Sequence, residues 1–155
     1  MSSKDSLLKN IYLFKKLSDS QLSQISELAE VQTFNAGDEI FNQGEAAKAL
    51  YIIKFGSVRI HQKGNDDPIE VAKLGTGSHF GEMAMVDDEP RSASATALEK
   101  TDLIVLDYNS LRALLEHKDD IALSFYRELA HFLAGRLRIT TNDLSYMRQR
   151  NLSHF

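Results

Sequence analysis

The chain has 155 residues, 43% apolar and 26% charged, and 18 Lys and Arg against 22 Asp and Glu leave a net charge of −4. That is the size and make-up of one globular domain of ordinary composition, and the acidic balance argues against a general electrostatic surface for nucleic acid. Cysteine is absent, which removes disulfides, thiolate metal sites and cysteine nucleophiles.

The longest apolar run, from Ala49 to Ile53, falls far short of the ~18 residues of a membrane span, and the opening MSSKDSLLKNIYLF has no secretory core. A single cytoplasmic domain over 1–155, with no membrane partner, is expected. Near the N-terminus, SDSQLSQISELAE sets Ser18 and Gln21 at capping-box spacing and places Leu22, Ile25, Leu28 and Ala29 on one helical face. Phe14 and Leu17 precede the cap and can staple it. Seven of the eight glycines then fall between Gly37 and Gly81, where they supply the conformations of tight turns. Among them lie VQTFN, DEIFN, ALYIIK, SVRIHQ and IEVAKL, followed by SATAL and DLIVLD. These segments are short and rich in β-branched and aromatic residues, and several alternate apolar with polar. Gly56 and Gly64 mark hairpins, and Asp66-Asp67-Pro68 a turn tip. The spacing predicts about eight strands over roughly 31–107, mainly β, closed as a compact barrel or jelly roll without crossover helices.

The segment Gly75 to Ala97 carries the chemistry. Gly77 and Gly81 bracket a turn, Glu82-Met83-Ala84-Met85-Val86 suits one short helical turn, and the acidic solvent loop 87–90 leads to Arg91, Ser92 and Ala93. A glycine turn that opens a helical turn leaves amides unpaired, and they favour an anion. Arg91 can fold back over the same spot and grip two phosphate oxygens, with Ser92 adding a hydroxyl. Glu82 would repel a phosphate but can accept from a sugar hydroxyl. The set suits a ribose beside a phosphate; a structural Glu82–Arg91 salt bridge is the competing explanation.

Two helices are expected next, roughly 109–117 and 119–147, the second ~43 Å long. Leu123, Tyr126, Ala130, Leu133, Leu137, Thr140, Leu144 and Met147 follow a heptad seam. Ile121, Phe125, Phe132 and Ile139 form a second stripe. One stripe can pack on the β body and the other on a second copy, giving a homodimer of moderate strength; burial of both within one chain is the alternative. The basic residues Arg136, Arg138, Arg148 and Arg150 fit a helix C-terminus better than a DNA patch. The five histidines (His61, His79, His117, His131, His154) are scattered, and Ser92 has no neighbouring histidine in sequence, so neither a metal centre nor an enzyme is expected; His79 reads as a turn or pocket-rim residue.

Phe80-Gly81-Glu82-Met83-Ala84 followed by Pro90-Arg91-Ser92-Ala93 resembles the phosphate-binding cassette of the cyclic-nucleotide-binding domain family. Gly37-Asp38-Glu39-Ile40, Gly44-Glu45, Leu50-Tyr51-Ile52-Ile53 and Gly56-Ser57-Val58 resemble its strand and turn pattern, so the likeness runs nearly the length of the chain. It implies an eight-stranded β-roll with an N-terminal helix and a long C-terminal dimerisation helix. It further implies that Glu82 binds the ribose 2′-hydroxyl, that Arg91 pairs with the cyclic phosphate, and that Ser92 and backbone amides of Gly81, Glu82, Met83, Ala84 and Ala93 complete the anion site. Arg136-Leu137-Arg138-Ile139-Thr140-Thr141 resembles the adenine-contacting segment of the dimer helix in activator-type members. There Thr140 and Thr141 would read the adenine amino group and Arg136 would turn toward Glu82 or the ligand. Expected, then, is a cAMP receptor, with cGMP second and a ligand-free dimerisation scaffold as the rival. A hinge at Tyr108 to Leu115 would let the last helix close on the base, and the signal would go to an effector protein that the sequence does not name. Only about eight residues follow Met147, too few for a helix-turn-helix, so direct DNA binding is not expected.

Overall fold

The structure, a computed structural model, describes residues 3–152; His154 lies outside them. The chain opens with α1 (Ser3–Leu8), a 3-10 turn (Tyr12–Phe14) and α2 (Asp19–Ser26). The Ser18–Gln21 capping box is present, and Gln21 reaches further, its amide donating to Asp120 Oδ2 at 2.7 Å. That bond holds the exposed Asp120 carboxyl below its usual range. The helix is shorter than its apolar spacing suggests. Leu28 and Ala29 close it with tight bonds to the carbonyls of Ile25 and Ser26, because the chain must reach β1 at Glu30.

Eight strands follow: β1 (Glu30–Phe34), β2 (Glu39–Phe41), β3 (Ala49–Phe55), β4 (Ser57–Gln62), β5 (Ile69–Gly75), β6 (His79–Phe80), β7 (Ser94–Ala97) and β8 (Thr101–Asp107). They form two antiparallel four-stranded sheets, ordered β1-β8-β3-β6 and β2-β7-β4-β5. The two-residue β6 is absent from the sequence reading because it lies inside the glycine turn, between Gly77 and Gly81.

The runs ALYII and LIVL are nearly continuous in apolar character because β3 and β8, at the centre of the first sheet, are largely buried on both faces. Leu50, Ile52, Ile104 and Leu106 face the helices, whereas Ile53 and Leu103 face the interior of the roll with Phe41, Val58, Phe80 and Ala95. The second sheet has one wet face, hence the alternation Val58-Arg59-Ile60-His61.

Beyond β8 come α4 (Tyr108–His117) and α5 (Asp119–Leu152). α4 is helical across the whole expected hinge, with Asp107 capping Ser110 N; the irregular backbone is instead at Lys118, φ −126° and ψ 85°. α5 uses one stripe, Ile121, Phe125 and Leu129, all fully buried. The stripe packs on the N-terminal segment, Phe125 stacking on Phe14 at 6.1 Å and Phe132 meeting Tyr12 edge-on at 5.5 Å, and touches the roll where the Phe132 ring lies 4.3 Å from that of His79. Residues 134–150 are all exposed, Ile139 included. Most of the other stripe is open to solvent, Leu123 at 71% and Leu137 at 67%, whereas Leu133 is partly buried against the core.

Gly56 joins β3 to β4 at φ +111°, and a Cβ there would lie 2.4 Å from Thr101 Oγ1 and 2.8 Å from Thr101 Cα. Strain and collision add, so Gly56→Ala should destabilise the fold by at least about 2 kcal/mol in equilibrium urea unfolding. An unchanged midpoint would show that the hairpin shifts freely.

Candidate functional site

The segment from β6 to β7 gathers three of the few buried polar side chains among the described residues: His79, Glu82 and Arg91, each at most 7% exposed. Its backbone is set by specific bonds. Arg91 N donates to Glu45 O and Gly44 N to Arg91 O, both at 2.8 Å, so Arg91 is pinned against the turn after β2. Gln62 Nε2 donates to Ser92 O at 2.8 Å, and Ser94 Oγ accepts from Gln43 N at 2.8 Å. The chain leaves β6 at Gly81, φ +80°, where a Cβ would stand 2.8 Å from Arg91 Nη1 and 3.2 Å from Ala49 O. A side chain there would displace the guanidinium from the sheet.

The expected helical turn is present as α3 (Ala84–Asp87), with Met83 at its N-cap. The first amides of the turn that find an acceptor are those of Met85 and Val86, bonded to the carbonyls of Glu82 and Met83. The loop after α3 is solvent-exposed, as expected, and is anchored at one point. Asp88 takes a left-handed conformation, φ 56°, and its carboxylate accepts from Arg112 Nη2 at 2.7 Å; the same nitrogen donates to Ala84 O at 3.2 Å. α4 thereby holds the C-terminal end of α3.

Arg91 donates through Nη1 to Gly81 O at 3.0 Å and Tyr108 Oη at 3.4 Å, and through Nη2 to Ala49 O at 2.7 Å. Its Cζ lies 4.0 Å from the Phe41 ring centre, with Tyr51 and Tyr108 at 5.9 and 5.7 Å. Every one of these partners is neutral. Among the described residues no carboxylate lies within ion-pair distance of it, so the structural Glu82–Arg91 salt bridge is not formed. Its Nε is buried without an acceptor. Burial pushes the phenols of Tyr51 and Tyr108 up, with Arg91 pulling the other way. Tyr108 is therefore a neutral donor, and its hydroxyl bonds Gly81 O.

Glu82 Oε1 lies 3.5 Å from His79 Nδ1. Ser92 is exposed, its hydroxyl directed to Met83 Sδ at 3.7 Å; Met83 is exposed, Ala84 buried and Ala93 half-buried. Gly81, Glu82, Met83, Ala84, Arg91, Ser92 and Ala93 are thus one cluster. Arg136, Thr140 and Thr141 are not in contact with it. Arg136 lies over the Phe132 ring at 5.2 Å, and the Thr141 hydroxyl bonds Leu137 O at 2.8 Å within its own helix. His79 is no rim residue: it is buried, its ring 4.3 Å from that of Phe132.

Sequence reasoning missed Phe41, Tyr51 and Tyr108. A buried guanidinium needs π faces and neutral acceptors, and only Tyr108, an aromatic at the strand-to-helix junction, gave a local hint. A buried cation and a separate buried carboxylate on the same stretch of chain, with amides and an exposed hydroxyl beside them, can hold an anion that carries a hydroxyl donor. Among the described residues no His, Cys, Asp and Glu group converges as a metal site.

A family model described as the cyclic nucleotide-binding domain matches residues 31–118. The chain is 34% identical over 131 residues to a Rhodopseudomonas palustris protein assigned as a potassium channel, covering 84% of this chain and 31% of that one. It is 33% identical over 150 residues to the cyclic AMP receptor protein of Thermus thermophilus, covering 93% and 67%. The crystal structure of the Thermus thermophilus catabolite activator protein superposes with a TM-score of 0.78 at 31% identity, over 88% of this chain and 62% of that one. The chain therefore spans less than a third of the channel relative and about two thirds of the receptor.

Gly81→Ala should cost about 1–3 kcal/mol from its backbone conformation alone and should expel Arg91 from its carbonyl cradle. Urea unfolding and the Arg91 side-chain 15N resonance report the two effects; an unmoved resonance would mean that the cradle does not depend on this glycine.

Proposed function

The chain belongs to the cyclic nucleotide-binding domain family, and from that premise we propose that it is a cyclic-nucleotide receptor, selective for cAMP over cGMP, that signals through its C-terminal helix. One observation carries the proposal: Arg91 is a buried cation with only neutral partners and one unpaired N–H. Burying such a charge costs several kcal/mol unless a countercharge arrives, and a cyclic phosphate is that countercharge. Ser92 and the amides from Gly81 to Ala84 and at Ala93 add donors. Glu82, buried in the same segment, accepts the ribose 2′-hydroxyl.

The name of the Thermus receptor and the adjacent Thr140 and Thr141 support adenine as the base. Both threonines are exposed, so reading the base requires α5 to approach the roll or a second copy to supply its helix. The exposed stripe of Leu123, Tyr126, Leu137, Leu144 and Met147 is proposed as the homodimer seam. Regulation rather than catalysis, in the cytoplasm and without direct DNA contact, completes the proposal; the receiving effector is another protein or domain. A second reading, a dimerisation module of the same fold that binds no ligand, draws support from the internal acceptors that Arg91 already has at Gly81, Ala49 and Tyr108.

Calorimetric titration separates the two. The chain should bind cAMP more tightly than cGMP, and Arg91→Ala should lose roughly a hundredfold in affinity, since breaking a desolvated charge pair costs about 3 kcal/mol. No heat with either nucleotide at millimolar concentration would leave the ligand-free module. For the seam, Leu137→Lys with Leu144→Lys should shift sedimentation from dimer to monomer; wild-type monomer at high concentration would overturn that part.

A further inference from the structure

His79 is accounted for neither by the core nor by the ligand groups. It pairs with Ile52 across β6 and β3, and Ile52 faces the helical layer, so the imidazole lies between the sheet and α5. Only 5% of it is exposed, and neither ring nitrogen has a hydrogen-bond partner. Buried polar atoms without partners are uncommon and call for an explanation. The ring has two neighbours of interest. Its Nδ1 is 3.5 Å from Glu82 Oε1, and its centre is 4.3 Å from that of Phe132 at an angle of 54°. Phe132 is itself held by Tyr12 at 5.5 Å and by the Arg136 guanidinium at 5.2 Å.

We propose that His79 is a positioning residue for Glu82, setting the carboxylate against the ligand's ribose hydroxyl from a place that Phe132 of α5 defines. The inference rests on the receptor reading above. A proton on Nδ1 needs an approach of only ~0.5 Å to make a hydrogen bond to Oε1. A carboxylate has several acceptor sites, so one N–H from His79 leaves Glu82 able to take a sugar hydroxyl as well. The aromatic contact fixes the imidazole, and the imidazole fixes the carboxylate. A displacement of α5 at Phe132 is therefore felt at the ribose, and binding of the ribose is felt at α5.

The ribose hydroxyl gives the test its specificity. Affinities of the full chain for cAMP and 2′-deoxy-cAMP are measured by competition binding. Wild type should favour cAMP. His79→Leu, similar in bulk but without a donor, should lose roughly tenfold or more for cAMP, the scale of a hydrogen bond to a charged group, and leave 2′-deoxy-cAMP within about twofold by the same reasoning, since that ligand lacks the hydroxyl Glu82 accepts. His79→Asn, whose amide nitrogen reaches the Nδ1 position, should restore much of the ratio. Phe132→Leu, with His79 intact, should lower it. If the leucine variant does not fold, the Asn and Phe132 variants still give the ratio. Equal loss for both ligands, or an unchanged ratio in every variant, would overturn the positioning role. Wild type that binds neither ligand overturns the receptor reading, and this inference with it; wild type that binds both equally removes the ribose role of Glu82 while leaving the phosphate site intact.

Discussion

The buried guanidinium of Arg91 is the constraint around which the site is arranged. A positive charge inside a small β-roll is tolerated only where neutral oxygens and aromatic faces replace water, and here they come from four separate pieces of chain. Phe41 ends β2, Ala49 and Tyr51 belong to β3, Gly81 follows β6, and Tyr108 opens α4. The cradle thus requires the two sheets, the cassette and the C-terminal helices to be in register at once. It holds the charge without neutralising it. This is what distinguishes a ligand site from a structural ion pair, in which the acid would already be in place.

The residues with strong local signatures were legible in the sequence. The Ser18–Gln21 cap, the hairpin glycine at Gly56 and the apolar runs of β3 and β8 each depend on neighbours a few positions away, and each is found. So is the Glu82-to-Ser92 cluster, because its spacing encodes a turn, a helical turn and a returning loop. What depended on distant packing was hidden. The tyrosines over Arg91 and the burial of His79 come from strand pairing and from α5, which no window of sequence reveals. The N-terminal segment was similarly opaque: α1 and the 3-10 turn are too short to show a period, yet Tyr12 and Phe14 of the 3-10 turn share with the roll the stripe of α5 that the sequence assigned to the roll alone.

The two stripes of α5 divide its length as well as its faces. Its first part, through Phe132, is tied down by Phe14, Tyr12 and the Asp120–Gln21 bond, whereas residues 134–150 meet solvent on all sides. Thr140 and Thr141 fall in the second part. On the proposed receptor reading, the groups for ribose and phosphate therefore lie within one folded chain and those for the base do not, so affinity and base selectivity would be carried by different parts of the molecule and could vary separately.

The irregular backbone at Lys118 has a mechanical consequence. It interrupts two helices that would otherwise be one rod, at the foot of a 34-residue helix whose residues 134–150 are exposed. At about 1.5 Å per residue that helix is a lever of roughly 51 Å, so a tilt of about 10° at its base sweeps the tip through about 9 Å. Displacements too small to register in the β-roll would become distances that a docked protein could sense.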